Sequence, residues 1–177
     1  MFTGKTIRLR SLELDDIPNI AQVYNSLEAR RFLDNVNPLS SDDLKQWIRS
    51  TWDGRKSHSK YFFAIDLTKT NKLIGMCGLF NVAKINRKAE LFIVIFENKH
   101  RGKGQGTEAL QLLLRYAFNQ LNLHRIVLFT HDLNTPAQQV YKKIGFKPGG
   151  RRRQASFFEG AYHDLLLYDM LASEFEG

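Results

Sequence analysis

The sequence predicts a mixed α/β fold (α+β in some schemes) in which helices cover the faces of one sheet. Segments with helical apolar spacing alternate along the chain with segments typical of strands. Residues 89–96 are almost continuously apolar, as expected for a strand that is covered on both faces. A glycine-rich turn then leads directly into a helical pattern, so this strand is followed by a helix without a linker. We therefore expect one domain spanning residues 1–177.

The first half of the chain contains four predicted strands and three predicted helices. Apolar runs and alternation predict the strands, which cover residues 5–10, 61–65, 73–80 and 89–96. Asp15 or Asp16 is the expected cap of the first helix. The second helix is short and covers residues 28–33. Ser41 is the expected cap of the third, which ends near Gly54.

The second half adds two helices and three strands. One helix is expected to begin near Gly104, because leucines recur at helical spacing after it. Asn134 is the expected cap of the other, which Gly145 ends. The strands cover residues 125–130, a segment from 146 onward, and 162–171. The total is about seven strands in one sheet.

Composition limits the class of protein. The chain has 177 residues and 43% hydrophobic residues, which suffices for a substantial core. We find neither an apolar run long enough to cross a membrane nor a signal-peptide pattern. The single cysteine, Cys77, lies in an apolar segment and is expected to be buried rather than nucleophilic. These features predict a cytoplasmic protein with no membrane segment and no metal.

The net charge of +8 raises the question of nucleic acid binding. The basic residues are dispersed except for the run Arg151–Arg153, and no helix-turn-helix, zinc or aromatic RNA-binding motif accompanies them. A basic surface suits a polyphosphate cofactor or an acidic partner equally well. We therefore do not expect a nucleic acid partner, and the role of the arginine run stays open.

The glycine-rich turn, residues 100–107, is the strongest candidate for a ligand site. Its three glycines stand between a strand and a helix, where backbone N–H groups and the helix dipole favour an anion. Lys103 precedes Gly104, so the P-loop pattern is not met. The glycine spacing also differs from the dinucleotide-binding pattern. A phosphate-bearing ligand is favoured, and a tight turn without a ligand is the alternative.

A second candidate motif covers residues 134–146. Ala137, Val140, Tyr141 and Ile144 follow helical spacing, which places a tyrosine on the buried side near the end of the helix. The hydroxyl of a buried tyrosine needs a partner, which is either internal or part of a ligand.

Taken together, the two motifs resemble those of the GNAT N-acetyltransferases. The pattern R-x-x-G-x-G at 101–106 resembles the acyl-CoA loop of that family, and N-x-x-A-x-x-x-Y-x-x-x-G-F at 134–146 resembles its second motif. The segments 7–10, 89–91 and 160–164 are similar to the RimJ/RimL-type branch. That branch includes ribosomal-protein N-terminal, spermidine and other small-amine acetyltransferases.

The resemblance implies a mostly antiparallel sheet whose fourth and fifth strands splay apart. The pantetheine of acetyl-CoA then pairs with the open edge of the fourth strand, and the glycine loop holds the pyrophosphate. The cosubstrate contacts implied in this way are Phe92, Ile93, Val94, Ile95, Arg101, Gly102, Lys103, Gly104, Gln105, Gly106, Thr107, Asn134 and Lys143.

The resemblance also implies the catalytic roles. Tyr141 would protonate the departing thiolate. Glu90 is the candidate base, acting through water on an amine that attacks directly in a ternary complex. A structural ion pair of Glu90 with Arg87 or Lys88 is the alternative, and His131 is a second candidate base.

The acceptor site is the least defined part of the prediction. Glu28, Phe32, Phe158 and Tyr162 are the candidate contacts, and Asp164 is one of several acids that could attract a cationic amine. We expect a protein N-terminus or a small amine as acceptor, with spermidine or another polyamine as the alternative. A non-catalytic acyl-CoA-binding module is the alternative from another class. A homodimer is also left open.

Overall fold

The computed structural model describes residues 2–26 and 37–177, which form an eight-stranded sheet. The strands are β1 (Phe2–Thr3), β2 (Ile7–Ser11), β3 (Tyr61–Leu67), β4 (Leu73–Ala83), β5 (Lys88–Ile95), β6 (Arg125–His131), β7 (Lys147–Phe158) and β8 (Ala161–Leu171). Their order is β1-β2-β3-β4-β5-β6-β8-β7. Every adjacent pair is antiparallel except β5 and β6, which are parallel. The predicted mixed, mostly antiparallel sheet is confirmed, with one more strand because the two-residue β1 pairs with β2.

Four α-helices in the described part of the chain lie on the two faces of this sheet. They are α1 (Ile17–Tyr24), α2 (Ser41–Lys56), α3 (Gln105–Arg115) and α4 (Thr135–Lys143). Apolar residues of α1 and α2 form the core on one face, and those of α3 and α4 join the core on the other. We call these the α1–α2 face and the α3–α4 face. The predicted helix over 28–33 lies outside the described residues.

Of the predicted helix caps, Ser41 is wrong, whereas Asp16 stands at the cap position of α1 but makes no cap bond. Ser40, not Ser41, caps α2, because its hydroxyl accepts from the N–H of Asp43 while the Asp43 carboxylate accepts from the Ser40 N–H. The helix also continues past Gly54 to its end at Lys56. Asp16 makes no cap bond to α1; its carboxylate accepts instead from the guanidinium of Arg10 at 2.7 and 2.8 Å. Arg10, six residues earlier in the chain, thus binds the carboxylate that the spacing had assigned to the helix.

The centre of the sheet is buried on both faces. Cys77 of β4 is fully buried, and burial raises the pKa of its thiol far above the ordinary value. Its immediate neighbour Met76 is also fully buried but belongs to the opposite core. A protonated, inaccessible thiol has no route to act as a nucleophile.

A carboxylate fixes the start of α3 against the N-terminal strands. Glu108 lies in the first turn of α3, and its carboxylate accepts from the N–H of Thr6 at 3.1 Å and from the Thr6 hydroxyl. The N–H of Lys5 donates to the same group. The turn between β1 and β2 therefore holds α3 at the position where the glycine loop enters it.

Candidate active site

β5 and β6 separate after a short paired stretch. The first three residues of β5, ending at Glu90, pair with the first three of β6. Beyond them β5 continues along β4, and β6 continues along β8. In the described part of the chain, no strand therefore lies between residues 91–95 and 128–131. We call this opening the β5–β6 gap; backbone groups on this edge of β5 are open to an extended ligand.

The glycine loop lies at the mouth of the gap, between β5 and α3. Gly102 and Gly104 have φ angles of 72° and 81°, which glycine adopts without the strain that a side chain would add. α3 begins directly after Gly104. A Cβ on Gly106 would lie 3.6 Å from Cγ1 of Ile95, so the first turn of α3 packs against the end of β5. The N-terminal amides of α3 and the open edge of β5 are therefore adjacent.

The side chains around the loop favour an anion. Arg101 donates from Nη2 and Nε to the carbonyl of the last residue of β5, at 3.1 and 3.3 Å. Lys103 is exposed within the loop. The nearby Glu97 accepts from Lys72 at 2.7 Å and from Lys99, and these hydrogen bonds lower the pKa of Glu97 to about 2. Because two lysines already neutralise this carboxylate, the field at the loop stays positive.

α4 starts directly beyond β6 and carries the second motif. Oδ1 of Asn134 accepts from the N–H of Ala137 at 3.4 Å, which confirms the predicted cap. Tyr141 is buried on the α3–α4 face, with its ring centroid 6.1 Å from those of Phe146 and Tyr168. Burial raises the pKa of Tyr141 to about 12. Among the described residues its hydroxyl has no hydrogen-bond partner, so a protonated phenol is available to donate.

Glu90 stands at the point where the gap begins. It is the last residue of β5 that pairs with β6. Its neighbours Ala89 and Leu91 belong to the core of the α3–α4 face, and side chains alternate along a strand. Glu90 therefore points to the α1–α2 face, whereas Tyr141 lies on the other face. The two predicted catalytic residues are on opposite sides of the sheet, and the gap is the passage between those sides.

The partner of Glu90 differs from the ones the sequence suggested. Nδ2 of Asn81 donates to Oε1 of Glu90 at 3.0 Å. The suggested partner Arg87 instead donates from Nε to the carbonyl of Asn122 at 2.7 Å. Among the described residues Glu90 forms no ion pair with Arg87 or Lys88. A neutral amide holds this carboxylate in place and leaves its charge uncompensated.

The candidate acceptor contacts lie near the β7–β8 hairpin. Phe158 packs on His163 with ring centroids 4.3 Å apart, and its ring is 5.7 Å from that of His131 at the end of β6. Tyr162 is 66% exposed and packs on Phe157 across the hairpin. Phe158 is therefore close to the end of β6, whereas Tyr162 is on the outside of the hairpin.

Asp164, which could have attracted a cationic amine, is already bound within the protein. It is buried, and its carboxylate accepts from the N–H of Gln154 at 2.6 Å and pairs with Arg151. These contacts lower the pKa of Asp164. Arg152 places its guanidinium 4.1 Å from the ring centroid of Phe129. Two residues of the arginine run thus have structural partners.

The remaining predicted site residues fall outside this arrangement. Lys143 is exposed in the last turn of α4. Glu28 and Phe32 lie outside the described residues. Sequence reasoning missed Asn81, which lies at the irregular end of β4 and has a φ of 50°, an angle that asparagine adopts more readily than most residues. Its contact with Glu90 depends on the register of β4 and β5, which local sequence does not fix.

Comparison with known protein families decides the class. Residues 6–147 match the family model of the acetyltransferase (GNAT) domain. The chain belongs to the GNAT acetyltransferase family. It is accordingly an acetyl-CoA-dependent N-acetyltransferase, as the two motifs predicted.

Its relatives are named for different acceptors. YdaF of Bacillus subtilis, which is provisionally named a ribosomal N-acetyltransferase, is 32% identical over 183 residues, which is 100% of this chain and 99% of YdaF. The solved spermidine N-acetyltransferase from Vibrio cholerae, in complex with CoA and spermine, is 26% identical. It superposes with a TM-score of 0.89 over 98% of this chain and 100% of that one.

A more distant structure shares the fold. RimL, the ribosomal L7/L12 α-N-protein acetyltransferase solved with coenzyme A, has a TM-score of 0.85 at 19% identity. The superposition covers 95% of each of the two chains. At this identity the likeness shows the fold alone.

Two features are absent from the residues that the structure describes. No helix in residues 2–26 and 37–177 is both long and apolar enough to span a membrane. The same residues contain no cluster of three or more histidine, cysteine, aspartate or glutamate side chains suited to a metal ion.

Proposed function

We propose that this enzyme acetylates a primary amine by direct attack in a ternary complex, and that the amine is a protein N-terminus or a small molecule. We further propose that residues 1–177 form one such domain. The observation that carries the proposal is the β5–β6 gap, which has an anion-binding loop at its mouth and an uncompensated carboxylate at its inner end. These features suit a long, phosphate-bearing thioester and an amine that meets it inside the sheet.

Acetyl-CoA would bind along the open edge of β5. The amides of residues 102–107 would hold the pyrophosphate, together with Arg101 and Lys103. In the described structure Arg101 covers the carbonyl at the end of β5, so this guanidinium would have to release that carbonyl as the pantetheine pairs with residues 92–95. Asn134 would contact the pantetheine arm while it continues to cap α4.

The transfer needs one group to remove a proton and another to deliver one. Glu90 would take a proton from the ammonium through water, and the amine nitrogen would attack the thioester carbon. A backbone N–H in residues 92–95 would stabilise the oxyanion. As the carbon–nitrogen bond forms and the carbon–sulfur bond breaks, Tyr141 would give its proton to the thiolate. A pKa of about 12 keeps the phenol protonated until that step. The nitrogen would lose its remaining extra proton to water, and the tyrosinate would regain a proton from water.

Two acceptor classes remain, and charge favours one of them. The net charge of +8 opposes a polycation, and Asp164 is bound by Arg151 and the N–H of Gln154 rather than open to an amine. A protein N-terminus or a small monoamine is therefore favoured. Spermidine stays the second candidate because the Vibrio cholerae enzyme solved with spermine is similar over nearly the whole chain.

A panel of amines tests the proposal. Thiol release from acetyl-CoA would be measured with N-terminal peptides of ribosomal proteins, spermidine, free amino acids and an aminoglycoside. We expect kcat/KM to be highest for a peptide or a monoamine. Preference for spermidine would overturn the favoured class, and no turnover with any amine despite acetyl-CoA binding would overturn the enzymatic proposal for this site.

A further inference from the structure

A second cavity lies at the end of β5 that is far from the glycine loop. It is an open depression of about 510 Å³ between the end of α2, the turn that joins β4 to β5, and the segment that follows α3. The length of β5 separates it from the glycine loop. Eight residues at a rise of about 3.3 Å per residue span roughly 23 Å. Nothing in the proposed acetyl transfer uses this cavity.

The inner surface of this cavity is apolar. Tyr61 and Leu123 are buried to more than nine-tenths, and Val82 and Leu121 are partly buried beside them. The hydroxyl of Tyr61 is hydrogen-bonded to Nδ1 of His58 at 2.8 Å. A ligand that enters would therefore meet aliphatic and ring carbon rather than free polar groups.

The rim of the cavity is positively charged. Lys84 and Arg87 lie on the rim with His58, and the lining includes no aspartate or glutamate. Arg87 uses Nε and Nη2 to hold Asn122, which leaves three of its five N–H donors without a protein partner in the described part of the chain. Lys84 is exposed and forms no ion pair with a described residue. The rim thus offers two permanent cations and an imidazole ring to one entering molecule.

The rim residues are held by an unusual backbone. His58 and Arg87 have φ angles of 58° and 48°, and Asn122 has 53°. Such left-handed angles are uncommon for histidine and arginine and are maintained here by surrounding contacts. The helix beyond α3 also widens to π geometry over Tyr116–Gln120, directly before the lining residue Leu121. Of the rim groups, the His58 ring is held by Tyr61 and the Arg87 guanidinium by Asn122.

We propose that this cavity binds an organic anion, namely a molecule with an apolar body and a carboxylate or phosphate group. The apolar body would lie on Tyr61 and Leu123, and the anionic group would lie between Lys84 and Arg87. The assignment is independent of the acceptor specificity of the enzyme.

Phenyl phosphate is a suitable probe because it joins a ring to a phosphate. It would be titrated into the isotopically labelled protein in the presence of saturating CoA, which occupies the glycine loop. Amide signals of residues 82–87 and 120–123 are expected to shift in a saturable way. Inorganic phosphate and phenol, the two halves of the probe, are expected to bind at least about fivefold more weakly each.

Matched variants distinguish binding of phenyl phosphate in this cavity from its general electrostatic attraction to a basic protein. Lys84→Gln and His58→Gln should each weaken phenyl phosphate binding by roughly three- to fivefold. Lys69→Gln removes an equally exposed lysine from the β3–β4 turn, at the opposite end of β4, and should change binding by less than about twofold. Shifts that do not saturate, shifts spread over the surface, or an equal effect of Lys69→Gln would overturn the proposal. If phenyl phosphate causes these saturable shifts but the protein does not bind CoA, the result would count against the glycine-loop assignment and not against this cavity.

Discussion

β6 has two neighbouring strands and pairs with them very differently. It pairs with β8 over all seven of its residues, and with β5 over only three. On the β8 side the backbone groups are therefore satisfied within the sheet. On the β5 side the pairing stops at Glu90, and the groups beyond it are left to a ligand. One strand thus joins a fully paired half of the sheet to the half in which we propose that acetyl transfer occurs.

The polar side chains also differ between the β8 side and the gap side of β6. On the β8 side, charged groups are paired with one another, as in the 2.8 Å hydrogen bond from Arg125 to Asp169 and the pair of Arg151 with Asp164. On the gap side, Glu90 is held by an amide, and Tyr141 has no partner for its hydroxyl among the described residues. We therefore expect substitutions beside the gap to change kinetics and substitutions on the β8 side to change stability.

Tyr141→Phe should have the largest effect. Loss of the general acid is expected to lower kcat by about 100-fold or more, with the KM for acetyl-CoA changed less than about twofold. Steady-state thiol release measures both constants. Tyr168→Phe is the matched control, since Tyr168 is equally buried on β8 and its hydroxyl contacts Gln138. An unchanged kcat in Tyr141→Phe would remove the general-acid role.

Glu90→Gln should have the next largest effect, and the effect should depend on pH. If Glu90 removes the ammonium proton, kcat/KM should fall by about tenfold or more at pH 7. The loss should shrink near pH 9, because an α-amino group with a pKa of about 8 is then already neutral.

The control for Glu90 is Asn81→Gly. Glycine accepts the left-handed backbone at Asn81, so this change removes only the hydrogen bond to the carboxylate. We expect a loss of about threefold, consistent with one neutral hydrogen bond. A loss in Glu90→Gln that is equal at pH 7 and pH 9 would assign a structural role to Glu90.

Gly106→Ala tests whether the mouth of the gap binds phosphate. The added methyl would meet Ile95 at an ordinary 3.6 Å, so the fold should tolerate it. It would, however, keep the pyrophosphate from the first turn of α3, and the KM for acetyl-CoA should rise by about fivefold. Gly104→Ala provides the contrast, since a side chain at φ 81° should lower the melting temperature. If the KM stays constant in Gly106→Ala, the phosphates bind elsewhere.

Asp164→Asn should have the smallest kinetic effect and should act on stability alone. The folded-state pKa of Asp164 lies below its unfolded value of about 3.9, so its stabilisation is complete above that value. It is lost as the pH falls through the folded pKa. The variant should therefore have a lower Tm than the wild type at pH 7, and the difference should shrink as the pH falls below about 3.9. Asp53→Asn, which is exposed on α2, should match the wild type throughout, and a lowered kcat in Asp164→Asn would contradict the division between the two halves.

Much of the fold could be predicted because its signals are local. The near-continuous apolar run of β5, the glycines at positive φ and the Asn134 cap each depend on residues within one turn or strand. The cap of α2 was misplaced by one residue, and two further errors came where a group outside the helix or the turn binds the side chain. Arg10 takes the carboxylate of Asp16 from its helix, and Asn81 rather than Arg87 reaches Glu90.

The sequence by itself determined the family, the cosubstrate and the order of the elements, because the glycine loop and the tyrosine motif are short and lie in a fixed order. Only the tertiary structure decided that β5 leaves β6 after Glu90, and that Glu90 and Tyr141 lie on opposite faces of the sheet. Both features depend on the register and separation of strands about 35 residues apart in the chain. This long-range geometry places the two motifs beside the β5–β6 gap, where we propose that acetyl transfer occurs.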